Sequence, residues 1–305
     1  MSAQRILVIG STNTDMVIET PTLPVPGQTV LGSAFRMTPG GKGANQAVAA
    51  ARAGASVAFI TALGDDALGV QRREQLAHDH IDVSHVVIKK GQPTGVALIV
   101  VDTRGENLIA AAPGANWQLL TDDLVPAAPA FVDVKLLIMQ LEIPLESVVW
   151  AANYAKQFGC PILLNPAPMP AQALPASLLK NVDILTPNAG ELRQLAPDAA
   201  TLEEAASRML ALGVKMIVVT QGSEGATVYT KEESFHVPAF SVATVDTVGA
   251  GDCFSATLGV ALAEGQPVRA AIRFATAAAA ISTTVPGAQV AMPTREKIEE
   301  LLAIE

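Results

Sequence analysis

The sequence predicts an α/β protein: a doubly wound, mostly parallel sheet with helices on both faces, plus a small β-sheet lid. Three observations carry this expectation. From about residue 135 onward, short apolar runs bounded by Gly and Pro alternate with longer segments of helical period. That alternation is the pattern of strands buried on both faces by crossover helices. Hydrophobic residues make up 50% of the 305 residues and aromatics only 4%, so the core is aliphatic and large. Two β-rich pieces, near residues 16–37 and 94–111, break the alternation and suit a separate small sheet.

The elements follow in order. Arg5–Ile9 (RILVI) is an apolar run ending at Gly10, a buried strand. Residues 17–18 and 28–37 read as strands around the turn-rich piece PTLPVPG. Residues 42–53 form an Ala-rich helix closed by Gly54. A strand at 56–61 and a helix at 67–80 come next, then a hairpin of 94–101 and 107–111 around D-T-R-G-E. Residues 135–140 are a strand, and 144–158 a helix with Pro144 at its first position. Strands at 161–164 and 183–185 precede a helix at 202–212 closed by Gly213. A strand at 215–220 leads into two β pieces, 226–230 and 234–237. Helices at 251–264, 268–284 and 294–302 complete the chain. With no internal repeat and no low-complexity linker, residues 1–305 read as one domain, with lid segments of about 14–38 and 94–111 inserted in it.

Charge and cysteine usage exclude several classes. The formal net charge is −9 and no block of Lys and Arg occurs, so no nucleic-acid partner is expected. The two cysteines, Cys160 and Cys253, are far apart and form no C-x-x-C pair. This argues against a disulfide or zinc framework and for a reducing, cytoplasmic setting. The N-terminus, MSAQRILVIGS, enters a strand without an apolar run long enough for a signal peptide. The uncharged stretch 274–294 contains Pro286 and Gly287 and is rich in Ala and Thr, so it reads as a buried helix and loop, not a membrane span.

Five segments could carry chemistry. Gly40-Gly41-Lys42-Gly43-Ala44-Asn45-Gln46 opens a helix, where glycines let backbone N–H groups approach a ligand and Lys42 and Asn45 can bind hydroxyls. A plain flexible loop would look the same, and the spacing is not that of a Walker loop. Asp246-Thr247-Val248-Gly249-Ala250-Gly251-Asp252 precedes an apolar helical run. Its N–H groups can converge as an anion hole, with Asp252 at the rim as a proton acceptor. The bland alternative is that Asp252 is an N-cap, worth ~1 kcal/mol. Thr186-Pro187-Asn188-Ala189-Gly190-Glu191 could present an amide and a carboxylate to Mg²⁺ and its waters, or could be only a capping box. Thr220-Gln221-Gly222-Ser223-Glu224-Gly225 suits a phosphate or nucleobase edge, or a hairpin turn. Asn13-Thr14-Asp15 could grip sugar hydroxyls, or form a turn with an Asx cap. All five lie after predicted strands or at helix starts, the ligand edge of an open α/β sheet. The four histidines lie outside these segments and receive no catalytic role. Cys253 reads as a small buried residue.

Taken together, these segments resemble the ribokinase-like carbohydrate kinases over nearly the full chain. The resemblance rests on G-S-T-N-T-D (10–15), G-G-K-G-A-N-Q-A (40–47), M-Q-L-E (139–142), N-P-A-P (165–168), T-P-N-x-x-E (186–191), T-x-G-S-x-G (220–225) and D-T-x-G-A-G-D (246–252), in the family's order. The last is the most specific. The second, third and fourth are most similar to the ribokinase branch. The resemblance implies an ATP-dependent sugar kinase making D-ribose 5-phosphate, with Asp252 as base and Gly249, Ala250 and Gly251 as the anion hole. It implies sugar contacts from Asn13, Asp15, Gly41, Lys42, Asn45 and Glu142. It implies ATP across Asn188, Thr220, Gly222, Ser223 and Gly225, with Thr276 near adenine where the family often has Asn or His. Asn188 and Glu191 match the residues that organise Mg²⁺ and phosphates. A monovalent cation, usually K⁺, would lie by Asp246, Val248, Ser282, Val285 and Gly287, mostly on backbone carbonyls. Ala291 stands where the family usually has a serine, which removes one side-chain oxygen. A homodimer through the lid is also implied. Alternatives are a kinase for deoxyribose, a ketohexose or a nucleoside, and a non-catalytic sugar-binding protein on the same fold.

Overall fold

The structure is a computed structural model that describes residues 3–304. Met1 and Ser2, which open the segment read for a leader, lie outside those residues. The chain begins with β1 (Arg5–Ile9), β2 (Asn13–Thr20), β3 (Ala34–Gly40), α1 (Lys42–Arg52) and β4 (Ser56–Ile60). Then come β5 (Ala62–Gly64), α2 (Ala67–His78), β6 (Val87–Lys89), β7 (Gly95–Asp102), β8 (Asn107–Ala112) and a short α3 (Thr121–Leu124). The middle holds β9 (Leu136–Met139), α4 (Leu145–Gln157), β10 (Ile162–Leu164), α5 (Ala176–Leu179), β11 (Ile184–Leu185), α6 (Ala189–Leu195) and α7 (Leu202–Ala211). It ends with β12 (Met216–Thr220), β13 (Ala226–Tyr229), β14 (Ser234–Val237), α8 (Ala250–Ala263), α9 (Val268–Ser282) and α10 (Arg295–Ile304).

Eight strands make the main sheet in the order β14-β13-β12-β11-β10-β9-β1-β4. The six from β12 to β4 run parallel, and β13 and β14 are antiparallel at one edge. The parallel strands are nearly continuous apolar runs because both of their faces are covered. Alternation divides them: Ile6, Val8, Leu136 and Ile138 pack toward α1, α8, α9 and α10, while Leu7, Ile9, Leu137 and Met139 pack toward α4 to α7. A separate four-stranded sheet, β3-β2-β7-β8, leaves the main body at the end of β1. No helix among the described residues is long and apolar enough to cross a membrane.

Several expectations are corrected. The strand expected over 28–37 begins only at Ala34 and runs to Gly40, because the Pro- and Gly-rich PTLPVPG turn leaves 28–33 without regular structure. Residues 13–15 are the first residues of β2, not a turn with an Asx cap, and the strand read at 17–18 extends over Asn13–Thr20. Pro144 caps α4 from outside the helix, with extended backbone (φ −52°, ψ 131°). The short pair β5–β6 and the helices α3, α5 and α6 are not among the expected elements, since three or four residues carry too little periodicity and α6 is only 7 residues long.

Candidate functional site

The strand order reverses at β1: the chain steps from β1 to β4 on one side and from β9 toward β14 on the other. At such a reversal the loops after neighbouring strands diverge and open a crevice. Ser11 follows β1 and Glu142 follows β9, and the Ser11 hydroxyl donates to Glu142 Oε2 across it. The same oxygen accepts the Lys42 N–H at 3.0 Å, which ties the start of α1 to the crevice. Gly41 has φ +89°, and a Cβ there would stand 2.7 Å from the Asn13 nitrogen, so only glycine lets the two chains meet. Asn13 Oδ1 accepts from Asn116 Nδ2 at 2.8 Å, which orients its amide. The Asp15 carboxylate lies against the Cα of Gly40, where any side chain would displace it.

The opposite wall is the start of α8. Gly249 holds the N-cap position in left-handed conformation (φ +78°), and Ala250, Gly251 and Asp252 are the first three helical residues. Asp252 is therefore not the N-cap, and its side chain does not cap the helix. Both of its oxygens are held by α1: Oδ2 accepts from Asn45 Nδ2 and Oδ1 from Gln46 Nε2, each at 2.9 Å. Asp252 is only 5% exposed. At Gly251 a Cβ would meet nothing within 4 Å, so the space before it is open.

The charges gather around that space. The Lys42 ammonium is pushed above the usual lysine range, first by Asp252, with Glu142 and Glu191 adding to the effect. Burial, then the charges of Glu142 and Asp252, push Asp15 up to about 6, while Arg72 opposes the shift. Arg72 itself is buried on α2, with its Nε and Nη1 lacking a hydrogen-bond partner, and burial holds it below the usual arginine range. Burial raises Glu191. Burial also pushes the Cys253 thiol up to about 12, which removes it as a nucleophile.

A cleft of about 640 Å³ continues from the α8 start, lined by Thr220, Gly222, Ser223, Gly225, Ala250 and Gly251. Thr276 also faces it, but its hydroxyl donates to the Ile272 carbonyl of its own helix at 2.8 Å. A neighbouring hollow shares Thr220 and Gly222 and is walled by Asn188. Asn188 and Glu191 form a reciprocal capping box at the start of α6, each side chain bonding the other's N–H at 2.8 Å. The capping alternative for this pair is thus met, and Glu191 still shares its field with Lys42 and Asp252.

Beside α8, Asp246 Oδ1 accepts from the Val248 N–H at 3.0 Å and Oδ2 from the Gly287 N–H at 2.8 Å. The carboxylate therefore braces two loops, leaving backbone carbonyls as the donors a cation would find there. Ser282 turns its hydroxyl to the Ala279 carbonyl at 2.8 Å, so only its backbone is left for such a role. Val285 is partly exposed and Ala291 is buried.

The chain is similar to known proteins in sequence and in overall fold. Residues 3–295 match the model of the pfkB family carbohydrate kinases. The chain belongs to this family. It is 40% identical to the ribokinase of Haemophilus influenzae over 303 residues, covering 98% of each chain. It is 37% identical to a deoxyribokinase of Salmonella typhimurium, covering 98% of this chain and 99% of that one. The structure of the Arabidopsis thaliana ribokinase complexed with ribose and ATP superposes with a TM-score of 0.90 at 32% identity, covering 99% of both chains. As a pfkB kinase the chain is an enzyme that transfers a phosphoryl group to a sugar hydroxyl.

The fold brings Lys42 and Asn45 of α1 together with Asp15, Glu142, Glu191 and Asp252 from separate parts of the sequence. Sequence reasoning gave no role to Ser11, Gln46, Asn116, Gln140, Asn165 or Arg72. Ser11, Gln46, Gln140 and Asn165 lie inside recognised motifs, which is the signal that could have pointed to them, while Asn116 and Arg72 lie in none.

Proposed function

We propose that this chain is an ATP-dependent ribokinase, converting D-ribose to D-ribose 5-phosphate. The observation that carries the proposal is the Asp252 carboxylate, oriented through both oxygens beside the open N-terminus of α8. In this reading the sugar lies between Asn13, Asp15, Gly41, Lys42, Asn45 and Glu142. The buried Asn45 Oδ1 has no protein partner, which suits an acceptor awaiting a sugar hydroxyl. ATP lies in the cleft along Thr220, Gly222, Ser223, Gly225 and Asn188, with Thr276 at the far end. The sugar hydroxyl gives its proton to Asp252 as its oxygen bonds to the γ-phosphorus, and the bond to the ADP oxygen breaks in line. Charge on the transferring group is met by the N–H groups of Gly249, Ala250 and Gly251 and by the Lys42 ammonium.

Mg²⁺ needs few protein ligands, because it keeps waters and takes phosphate oxygens. A single half-buried carboxylate at Glu191, with Asn188 beside it, fits that demand and would neutralise phosphate charge. K⁺ fits the backbone of Asp246, Val248, Ser282, Val285 and Gly287, where carbonyls remain after Asp246 has taken the N–H groups. With alanine at 291, that position offers a cation no side-chain oxygen. Two chains pair through the small sheet acting as a lid, whose outer face carries Ile18, Phe35, Met37, Leu98 and Leu108, all exposed. The buried free thiols suit a cytoplasmic enzyme.

Deoxyribose is the second reading, favoured by the similarity to the Salmonella deoxyribokinase. The deciding experiment is coupled ADP release with ATP and Mg²⁺ across a panel of pentoses, ketohexoses and nucleosides, with and without K⁺. Turnover led by D-ribose and abolished in Asp252→Asn, with sugar binding retained, is the expected result. Turnover led by deoxyribose moves the substrate but keeps the chemistry. Asp252→Asn with near-normal turnover removes Asp252 as base.

A further inference from the structure

We infer that Gln46 is a positioning residue that fixes the rotation of the Asp252 carboxylate, so that one oxygen faces the sugar hydroxyl. The inference rests on the reading of Asp252 as the base. Gln46 lies on α1 and is 0% exposed. Its amide makes three hydrogen bonds. Nε2 donates to Asp252 Oδ1 at 2.9 Å and to Asn165 Oδ1 at 3.2 Å, and Oε1 accepts from Gln140 Nε2 at 2.6 Å.

The neighbours dictate which way this amide points. Asn165 Nδ2 donates to the Thr186 carbonyl at 2.8 Å, so the Asn165 oxygen is the end that faces Gln46. The Thr186 carbonyl belongs to the backbone just after β11 and cannot flip. Turning Gln46 over would set its oxygen against Asp252 Oδ1 and Asn165 Oδ1 and its NH₂ against the NH₂ of Gln140. Gln140, whose Oε1 has no partner, could turn over with it, but the two bonds to Asp252 and Asn165 would be lost and replaced by oxygen-to-oxygen contacts in a buried site, where each unpaired polar group is costly. The orientation is therefore passed from the main sheet, through Asn165 and Gln46, to Asp252.

This hold differs from the one Asn45 supplies. Asn45 grips the other carboxylate oxygen but is itself placed on the sugar side, with its Oδ1 free. Gln46 has both ends engaged by protein and does not depend on the sugar. A carboxylate about its terminal torsion is soft, with a broad and nearly two-fold energy profile. Without Gln46 the acceptor oxygen is free to turn away from the reacting hydroxyl.

The test compares Gln46→Met, close in length and without the donors, in the native and the Asp252→Asn backgrounds. In the native background kcat should fall by about 10- to 100-fold, the scale at which misplacing a reacting group acts. KM for the sugar should stay within about threefold, because Gln46 is not a sugar contact. In the Asp252→Asn background the same change should leave the residual turnover unaltered, since the group it positions is gone. Calorimetric binding of sugar and nucleotide and a thermal melt report whether the variant is folded. If Gln46→Met does not fold, Gln46→Asn, whose shorter amide cannot reach Asp252, is measured in its place with the same expectations. Unchanged kcat, or an equal loss in both backgrounds, overturns the inference. Normal turnover in Asp252→Asn alone instead overturns the base assignment on which it stands.

Discussion

The Asp246 carboxylate accepts the Gly287 N–H at 2.8 Å and so fastens the loop before α8 to the loop after α9. Its other oxygen holds the Val248 N–H one step ahead of the Gly249 N-cap. Asp246→Ala releases both N–H groups at once. Charge-assisted bonds of this kind contribute about 1–3 kcal/mol each at most, less where water reaches them. The variant should melt a few degrees lower and lose turnover together with any activation by K⁺. A K⁺ titration of ADP release, alongside a melt, checks this.

The two glycines at the α8 start should respond differently to the same substitution. Gly249→Ala meets a left-handed φ of +78° and a contact 2.9 Å from the Ala288 Cβ, so it should both destabilise and inactivate. Gly251→Ala has ordinary helical backbone and open space. There alanine should hold or raise the melting temperature, by up to about 1 kcal/mol of helix propensity. Its methyl would nonetheless occupy the space in front of the N–H groups, and kcat/KM should fall by about 100-fold or more, the scale for losing an anion-hole donor. Melts and initial rates on the two variants separate fold from function.

Asp15 couples stability to pH. Its folded pKa is about 6 against an ordinary value of 3.8, so the folded chain binds this proton more tightly than the unfolded one. The sign follows: Asp15 destabilises the fold above pH 6, and the penalty shrinks as pH falls from 6 to about 4. The penalty at neutral pH is on the order of 3 kcal/mol. Asp15→Asn should therefore melt higher than the native chain at pH 7.5, and the gap should close by pH 4. The variant should also bind sugar weakly. In the native chain, sugar affinity should decline as pH drops below about 6, measurable by calorimetry.

The outer face of the small sheet gives a fourth prediction. Phe35 and Leu98 are 60% and 52% exposed on a face that includes Ile18 and Met37. Replacing both by lysine should shift the mass measured by light scattering from two chains to one. Turnover should fall with it if the paired sheets steady the sugar contacts proposed for Asn13 and Asp15. An unchanged mass would place the pairing elsewhere or remove it.

Much of this site was legible in the sequence because its parts are backbone devices. Gly41 and Gly249 are required by positive φ, and such positions announce themselves as glycine-rich loops after strands. The parallel strands were legible as apolar runs for the same kind of reason, since burial on both faces leaves little choice of residue. What could not be read is pairing. Gln46, Gln140 and Asn165 look like ordinary polar residues, and only the fold brings them within hydrogen-bond reach across 94 and 119 positions. Arg72 in α2 gave no hint of burial, because its neighbours Arg73 and Glu74 mark an exposed helix face. The edge of the small sheet differs from expectation at 28–33, where apolar Val30 and Leu31 suggest a strand but, among the backbone N–H groups, only that of Ser33 reaches β2, at the Glu19 carbonyl.

The strand β2 leaves the end of β1 after only three residues, and Asn13 and Asp15 sit at its root while its far end carries the small sheet outward. Its root therefore lies at the crevice and its tip at the outer end of the small sheet. Asn13 and Asp15 at the crevice and Ile18 on the exposed face thus belong to one continuous strand, with no loop between them.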